Sequence, residues 1–394
     1  MKRWQTAASA MALALGFGLA GNAFGQAAQG VTRDEVVIGT IQDLSGPIAA
    51  YGKQLRGGMQ MRVDEANENG GVNGRKLRLV IEDSGYDPKK GVLATQKMLQ
   101  KDRIFAMIGT LGTPVVLTSM PLVLDKGVLH LFPLTAARET FEPLHKLKFS
   151  SAATYFDQMR AGIPYLVKQK GYKKVGILHQ DDEFGAEVLR GAEQGLKDIG
   201  MALVEKTSYK RGATDFSSQV AKLKGAGCDL VILGTVIRET IGSIAEARKT
   251  GFNTDFLGTS ALYTRLIHAL GGPAMNGLYG MSTVSEPYAD DASKNVRAWA
   301  ASYKSRFNED PAVFSVYGYT VIDFFIKALE KAGPSPTQVK VADVLETMKT
   351  TRDMFGSPEY AMSKTNHLAT DKSRISQIQA GRWVQVTDYL APAK

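Results

Sequence analysis

The sequence has little cysteine and no motif of a familiar enzyme. Its single cysteine, Cys228, excludes a disulfide within the chain, and no cysteine stands near the N-terminal segment to carry a lipid. Beyond that segment there is no GxSxG, Walker, HExxH or GxGxxG pattern, and the five histidines are widely scattered. These absences argue against a hydrolase, a nucleotide-dependent enzyme and a zinc protein. We therefore predict no enzymatic activity, no cofactor and no metal site.

The chain also lacks a long block of one charge sign. The formal net charge is +9, but Lys and Arg are mixed with Asp and Glu along the sequence. No basic tract is interleaved with aromatic residues, so the excess predicts ordinary surface charge and no nucleic-acid partner. A hydrophobic content of 44% and a charged content of 22% are typical of a globular protein.

Only the N-terminus has a long apolar run. The basic pair Lys2-Arg3 precedes an uncharged stretch at 7–20, and small residues follow it. This pattern predicts a signal peptide, residues 1–27, cleaved near residues 25–28. An uncleaved anchor helix is the alternative, disfavoured because the run is short and rich in Gly and Ala. We therefore expect an exported protein.

Strand and helix patterns alternate through residues 36–132 and start again in residues 157–281. Such alternation is typical of parallel sheets with crossover helices. Two further helices and a predicted hairpin, SRISQIQ and RWVQV joined at Ala380-Gly381, come after the second series. At 394 residues the chain suits two domains. The sequence therefore predicts two α/β units between which the chain crosses more than once.

The stretch FAMIGTLGTP, residues 105–114, predicts a binding site. An apolar run suggests a buried strand that breaks at Gly109, and hydroxyls follow at Thr110 and Thr113. Pro114 suits the first position of a helix, with Thr113 as its N-cap. Free N–H groups at a helix start, beside hydroxyls, favour an anion or a carboxylate.

Gly-Thr pairs also end three other predicted strands, at Thr40, Thr235 and Thr259. Ligands of open α/β sheets bind beyond the carboxyl ends of the strands, so the four pairs suggest a cleft lined by strand ends. The alternative is that Gly-Thr merely ends a strand and caps the next element.

Segments spread over nearly the whole mature chain carry a family resemblance: DLSGPIAAYG, NENGGVNGRKLRLVIEDSGYDPKKG, MIGTLGTP, HQDDEFGAEVLRG, YKRGATDFSSQVAKLK and VYGYTVIDFF. They resemble the type I periplasmic solute-binding proteins of ABC importers, in the leucine/isoleucine/valine-binding family. The resemblance implies two Rossmann-like lobes joined by a multi-strand hinge, which close on a ligand. It also implies a periplasmic monomer whose partners are a small-molecule carboxylate and an inner-membrane ABC permease.

The resemblance further implies how the chain is divided between the lobes. The expected ranges are a signal peptide at 1–27, lobe 1 at 28–154, lobe 2 at 155–283, lobe 1 again at 284–355, and strands and tail of lobe 2 at 356–394.

Carried over position by position, the family's ligand site falls on residues of both lobes. Those of lobe 1 are Ser45, Tyr51, Thr110, Thr113, Thr135 and Ala136, and those of lobe 2 are Tyr155, Phe184, Val236 and Ser260. In the amino-acid binders of the family, hydroxyls and N–H groups of the first lobe hold the carboxylate, which agrees with the junction at 105–114.

The positions expected to hold an ammonium group do not match. Amino-acid binders place an acidic residue where this chain has Ser260, and another near Tyr155. Because a buried ammonium without an anion is costly, we expect an aromatic acid rather than an aliphatic amino acid. Tyr51, Tyr155, Phe184 and Tyr263 would then form an aromatic-lined pocket. The alternatives are that these rings belong to the core, that the ligand is leucine, isoleucine, valine or another amino acid, or that the chain is a ligand-sensing receptor domain.

Overall fold

The computed structural model describes residues 28–392, which form two α/β lobes, each built on its own sheet. The predicted signal peptide, 1–27, lies outside the described residues. The predicted fold class, two wound α/β lobes joined by several crossings of the chain, is confirmed. The residue ranges predicted for the lobes stay predictions.

Lobe 1 is built on a five-stranded parallel sheet with strand order β2-β1-β3-β4-β5. Its inner strands are almost wholly buried, as their apolar runs require, whereas the edge strand β2 is partly exposed. The elements are β1 (Glu35–Gln42), α1 (Ala49–Glu68), β2 (Lys76–Asp83), α2 (Pro88–Lys97), β3 (Ala106–Ile108), α3 (Thr113–Asp125), β4 (Leu129–Leu131) and β5 (Lys148–Phe149).

Lobe 2 contains a seven-stranded sheet with strand order β14-β13-β10-β9-β8-β6-β7. The strands from β6 to β10 are parallel, and β13 and β14 are antiparallel. The elements are α4 (Tyr155–Lys170), β6 (Val175–Gln180), α5 (Glu183–Lys197), β7 (Leu203–Tyr209), α6 (Ser217–Gly225), β8 (Leu230–Gly234), α7 (Ile237–Lys249), β9 (Asp255–Gly258), α8 (Arg265–Gly271), β10 (Tyr279–Ser282), β13 (Arg374–Gln379) and β14 (Arg382–Gln385).

Between β10 and β13 the chain returns to lobe 1. This part consists of α9 (Lys294–Phe307), α10 (Val313–Ala332), α11 (Gln338–Leu345) and the paired strands β11 (Lys349–Thr350) and β12 (Tyr360–Ala361). Helix α10 packs closely along α1 because glycines stand where the helices meet. A Cβ on Gly58 would lie 1.9 Å from the Ser315 carbonyl oxygen, and one on Gly318 would lie 2.2 Å from that of Leu55.

The chain therefore crosses between the lobes in three segments, 150–154, 283–293 and 351–373. The first and third are paired, since the Ser150 N–H donates to the His367 carbonyl at 2.9 Å and the Ala369 N–H donates to the Ser150 carbonyl at 2.9 Å. We call these three segments the hinge.

The secondary structure differs from the predictions at a few places. The predicted end of β1 at Thr40 is wrong, because the strand continues in register with β2 as far as Gln42. The predicted C-terminal hairpin is confirmed, and Ala380 (φ 47°) and Gly381 (φ 71°) form its two-residue turn. Short elements such as β5 and α8 were not predicted, because they span too few residues to show a period.

Candidate functional site

Two adjacent cavities lie between the lobes, beyond the carboxyl ends of β3, β4 and β9. The α10 cavity has about 60 Å³ of space for the centres of water-sized spheres, and its lining includes Thr135, Ala136, Tyr317, Val321, Phe324 and Tyr360. The Tyr51 cavity has about 40 Å³, and its lining includes Tyr51, Tyr86, Leu111, Thr113, Phe184 and Val236. Both are bordered by Leu134, Tyr155, Ala261 and Phe314.

The lining of these cavities carries no formal charge. Among the described residues, no Asp, Glu, Lys, Arg or His side chain borders either cavity. The polar groups are hydroxyls and backbone atoms, and the rest of the surface is aliphatic or aromatic. A ligand bound here must therefore take its polar contacts from hydroxyl and N–H groups.

The hydroxyls of Thr113 and Thr135 form a pair where the two cavities meet. Their Oγ1 atoms are 2.6 Å apart and buried. A pair of hydroxyls has two hydrogens and uses one between them, so the other can be donated to the neighbouring Tyr155 phenol, which interacts with Thr135, or to a ligand oxygen. Within residues 28–392, the N–H groups of Thr113 and Val115 also lack an acceptor. This corner is suited to a carboxylate.

The helix start differs by one residue from the predicted one. Gly112, with φ 94°, is the N-cap of α3, and Thr113 is the first helical residue. The prediction that Thr113 caps the helix is wrong, because its hydroxyl is turned to Thr135 and makes no capping bond. The shift leaves the hydroxyl facing the cleft.

Tyr155 and Ala136 lie together at the boundary of the lobes. The Tyr155 N–H donates to the Ala136 carbonyl at 2.7 Å, at the first residue of α4. The Tyr155 ring meets the Phe184 ring edge to face, with centroids 5.0 Å apart. Burial raises the pKa of Tyr155 to about 12, so the phenol is neutral at pH 7.

Tyr51 joins the lobes directly. Its hydroxyl donates to the Ala261 carbonyl at 2.6 Å, and its ring stacks on Phe314 with centroids 3.9 Å apart. Val236, just before α7, also borders the Tyr51 cavity. Burial holds the pKa of Tyr51 well above its usual range, and the nearby Glu239 carboxylate adds to this effect.

Ser260 borders the α10 cavity, and Gln158 bonds its hydroxyl oxygen and its N–H, whereas no described residue accepts its hydroxyl hydrogen. The Gln158 side chain donates to the Ser260 hydroxyl at 3.0 Å and accepts from its N–H at 2.8 Å.

Ser45 and Thr110 border neither cavity. Ser45 is exposed, and its hydroxyl donates to Asp83 at 2.6 Å. Thr110 is buried, and its Oγ1 has no hydrogen-bond partner among the described residues. Its carbonyl accepts the Leu134 N–H at 2.8 Å, so Thr110 joins the ends of β3 and β4.

The prediction that four Gly-Thr strand ends line the cleft is wrong. The other three hydroxyls are bonded within their own lobes: Thr40 accepts from Gln42 at 2.7 Å, Thr235 bonds Thr240 at 2.5 Å, and Thr259 accepts the Ala261 N–H at 3.2 Å.

The prediction that Tyr263 belongs to the aromatic pocket is wrong as well. Its ring packs against Trp383, with centroids 4.9 Å apart, and its hydroxyl accepts the Glu286 N–H at 3.1 Å. Tyr263 therefore stabilises the hinge rather than lining the cleft.

Further contacts hold the lobes closed around the cavities. In lobe 1, the Tyr86 hydroxyl accepts from Gln180 at 3.2 Å, and its carbonyl accepts from Arg211 at 2.8 Å. Arg138 of lobe 1 pairs with the fully buried Glu187 of lobe 2 at 3.1 Å. The structure is therefore that of a closed form.

Sequence reasoning missed the contribution of α10. Phe314, Tyr317, Val321 and Phe324 recur at helical spacing and turn one face of the helix toward the cavity. The same spacing is typical of any core-facing helix, so it could not indicate a ligand. Tyr86 was missed too. It lies beside Gly85 in the loop after β2, at the carboxyl end of a strand, which is where ligands of such sheets bind.

One acidic residue lies behind the cleft. Glu239 on α7 is 1% exposed, and its Oε2 lacks a hydrogen-bond partner in the described part of the chain. Arg238 is 3.5 Å from the other oxygen, and burial raises the pKa of Glu239.

Residues 28–392 contain neither a membrane-spanning helix nor a cluster of metal-binding side chains. No helix there is long and apolar enough to cross a membrane, and no three His, Cys, Asp or Glu residues are grouped so as to hold a metal ion. The acidic residues at 181–183 have structural roles that include helix capping, since Asp182 accepts the N–H groups of Phe184 and Gly185.

Sequence comparison gives a family match over most of the chain. The family model described as periplasmic binding protein matches residues 35–382. A leucine-, isoleucine-, valine-, threonine-, and alanine-binding protein of Pseudomonas aeruginosa is 27% identical over 324 residues, which are 82% of this chain and 84% of that protein.

Structural comparison finds the same fold in solved proteins. A fatty acid ABC transporter substrate-binding protein from Thermomonospora curvata has a TM-score of 0.83 and 23% identity, covering 94% of this chain and 95% of that one. An ABC transporter solute-binding protein from R. palustris in complex with benzoate has a TM-score of 0.79 and 18% identity, covering 91% and 97%. At these identities the likeness shows the fold alone.

Proposed function

Because the chain belongs to the periplasmic binding protein family, whose members are substrate-binding proteins of ABC transporters and not enzymes, we propose that it captures a small carboxylate and delivers it to an ABC permease. An aromatic acid is favoured over an aliphatic amino acid. The observation that carries this proposal is the Thr113–Thr135 hydroxyl pair, which faces cavities bordered by no charged side chain of residues 28–392.

The carboxylate docks on lobe 1. The spare hydroxyl hydrogen of the Thr113–Thr135 pair and the free N–H groups at the start of α3 are its donors. Hydrogen bonds to an ionised carboxylate are shorter and stronger than those to a neutral acceptor. The positive end of the α3 dipole adds to the attraction.

The body of the ligand contacts rings. Tyr155 and Phe314 border both cavities next to the hydroxyl pair, and the phenol of Tyr155 is uncharged at neutral pH. Rings pack well against a flat apolar body. An α-ammonium group in the same place would lose its water without gaining an anion, which is costly.

Lobe 2 then closes over the ligand by hinge motion. Closure forms the Tyr51–Ala261 hydrogen bond and the contacts of Tyr86 with Gln180 and Arg211. A ligand shifts the population toward this form because only this form contacts it on both sides. We propose that the permease recognises the closed monomer.

A thermal-shift assay of the chain without residues 1–27 tests the proposal. Benzoate and cinnamate should raise the melting temperature, whereas leucine and valine should not; a ligand at 100 times its Kd stabilises by about 2.7 kcal/mol. If leucine or valine raises the melting temperature and the aromatic acids do not, the proposed ligand class is wrong.

An amino acid is the second candidate, because of Glu239. This carboxyl is buried behind Tyr51 with one oxygen unpartnered among the described residues, and the P. aeruginosa relative is named for amino acids. On this reading Glu239→Gln abolishes leucine binding, whereas on ours it leaves the affinity for benzoate within about threefold.

The proposed location is the periplasm. Expression of the whole chain in a Gram-negative host, followed by fractionation, should release a protein whose N-terminus begins near residues 25–28. A full-length product that stays with the membrane fraction would contradict this.

A further inference from the structure

We propose that the apolar body of the bound acid occupies the α10 cavity beside the hinge, so that α10 and the hinge select ligands by length. This inference rests on the proposed function and adds to it a substrate class. The preferred ligands are monocarboxylic acids whose ring or apolar chain stands two or more carbons from the carboxyl group.

The Tyr51 cavity is already largely filled by side chains. Tyr51 stacks on Phe314 at 3.9 Å, and its hydroxyl is used by Ala261. Phe184 and Tyr155 are in edge-to-face contact. To admit a ligand's body there, these rings would have to separate and the hydrogen bond between the lobes would break.

The α10 cavity is the roomier of the two, and its lining combines aliphatic and aromatic side chains with the hydroxyls of Ser151, Thr283 and Thr320. Its space of about 60 Å³ exceeds the space of about 40 Å³ in the Tyr51 cavity. Phe324 forms its floor with Phe132 and Tyr360, at centroid distances of 5.5 and 5.1 Å. Such rings in mutual contact form a firm wall, and an apolar group that displaces water from them gains free energy.

The α10 cavity extends from the Thr113–Thr135 hydroxyl pair toward the hinge. Each hinge segment contributes to its lining: Ser151 from the first, Thr283 from the second and Tyr360 from the third. A ligand body lying here would contact all three connections between the lobes. Ligand length would then affect closure directly, and not only affinity for lobe 1.

A matched pair of substitutions tests the inference. Val321 borders only the α10 cavity and Val236 only the Tyr51 cavity, and both are buried. The affinities of benzoate and 5-phenylpentanoate would be measured by calorimetry for the wild type, Val321→Phe and Val236→Phe. The readout is the ratio of the two dissociation constants, which cancels any general loss of binding.

We expect the wild type to prefer 5-phenylpentanoate. Val321→Phe should reduce this preference by about tenfold, because the added ring fills the space for the longer body. Val236→Phe should weaken both acids alike and leave the ratio within about threefold. A ratio changed by Val236→Phe and not by Val321→Phe would overturn the inference.

A second variant covers the case in which Val321→Phe does not fold, as judged by circular dichroism. Phe324→Leu enlarges the same cavity and should raise the preference for 5-phenylpentanoate by about threefold; an unchanged ratio would overturn the inference. Binding of acids with no dependence on length refutes only this inference. A wild type that binds no acid refutes the proposed function as well.

Discussion

The two faces of the cleft come from the same kind of α/β unit but offer a ligand different chemistry. Lobe 1 presents the Thr113–Thr135 hydroxyl pair and the free N–H groups of α3. Lobe 2 presents Phe184, Val236 and Ala261. The Ser260 hydroxyl of lobe 2 accepts a hydrogen bond from Gln158.

The difference arises from where each hydroxyl lies relative to the following helix. Thr113 is the first residue of α3 and leaves its hydroxyl directed to the cleft, whereas Thr235 bonds Thr240 inside its own lobe. The same residue type after a strand can thus serve a ligand or the local fold. We infer that lobe 1 recognises the charge, and that lobe 2 closes over an apolar body that lies along α10 of lobe 1.

The largest effect is expected from removing the hydroxyl pair. Thr113→Val with Thr135→Val keeps the branched shape but loses both hydroxyls, and hydrogen bonds to charged groups contribute about 1.5–3 kcal/mol each. Calorimetric affinity for an aromatic acid should fall about 100-fold.

Thr118→Val is the matched control for that variant. Thr118 lies on the same helix, and its hydroxyl donates to the Pro114 carbonyl at 2.9 Å rather than facing either cavity. If the control loses as much affinity as the double variant, the carboxylate does not bind at the Thr113–Thr135 pair.

The free energy of unfolding is expected to depend on pH because of a buried carboxyl group in the hinge, where the two lobes are joined. Glu286, in the hinge, accepts the N–H of Arg265 at the start of α8 at 3.0 Å and that of Val313 at the start of α10 at 3.3 Å. Burial raises the pKa of Glu286 to about 8, although Arg265 opposes the shift.

This shift sets the sign of the effect. An unfolded glutamate has a pKa of about 4.3, so between about pH 4.5 and 8 the folded chain keeps a proton that the unfolded chain has lost. The free energy of unfolding should therefore fall as pH rises through this range, by roughly 2 kcal/mol or more. Urea unfolding at pH 5, 7 and 9 should show a smaller fall in Glu286→Gln; parallel curves would refute the assignment.

A smaller loss of ligand affinity is expected from removing the hydrogen bond that joins the two lobes across the cleft. Tyr51→Phe removes the donor to the Ala261 carbonyl, and a neutral hydrogen bond contributes about 1 kcal/mol, or about fivefold in affinity. Small-angle scattering should also show a larger radius of gyration at a fixed ligand concentration. Tyr165→Phe, on α4 and outside both cavities, should change neither quantity.

The smallest effect is expected at the rim of the cleft. Arg211→Ala removes the contact with the Tyr86 carbonyl and should weaken ligand binding only about twofold, because Arg211 is partly exposed to solvent. Lys210→Ala is its control, since Lys210 pairs with Asp181 within lobe 2. A loss of ligand affinity above tenfold in Arg211→Ala would mean that closure depends on the contact between Arg211 and Tyr86 at the rim, and not on the two faces of the cleft.

The fold could be predicted because its signals extend over many residues. Runs such as LVILG in β8 are buried from end to end, and helices separate them at regular intervals. The hairpin after Arg374 was predictable because Ala380-Gly381 suits a turn with positive φ.

The site was less predictable because it depends on which hydrogen-bond partner each polar side chain takes. Thr113, Thr135 and Tyr155 followed from strand ends and family resemblance. Ser45 instead bonds Asp83 in a loop, a choice that sequence does not reveal. The aromatic face of α10 has the spacing of an ordinary core helix, so nothing in the sequence separates ligand contact from packing.

The central claim is that the site binds a carboxylate and has no place for an α-ammonium group. Leucine and 4-methylpentanoate differ only in that ammonium group, so a calorimetric titration of the wild-type chain with each of them isolates its contribution. We predict that 4-methylpentanoate binds at least about tenfold more tightly, because the ammonium group would be buried without a partner. Tighter binding of leucine would contradict the account.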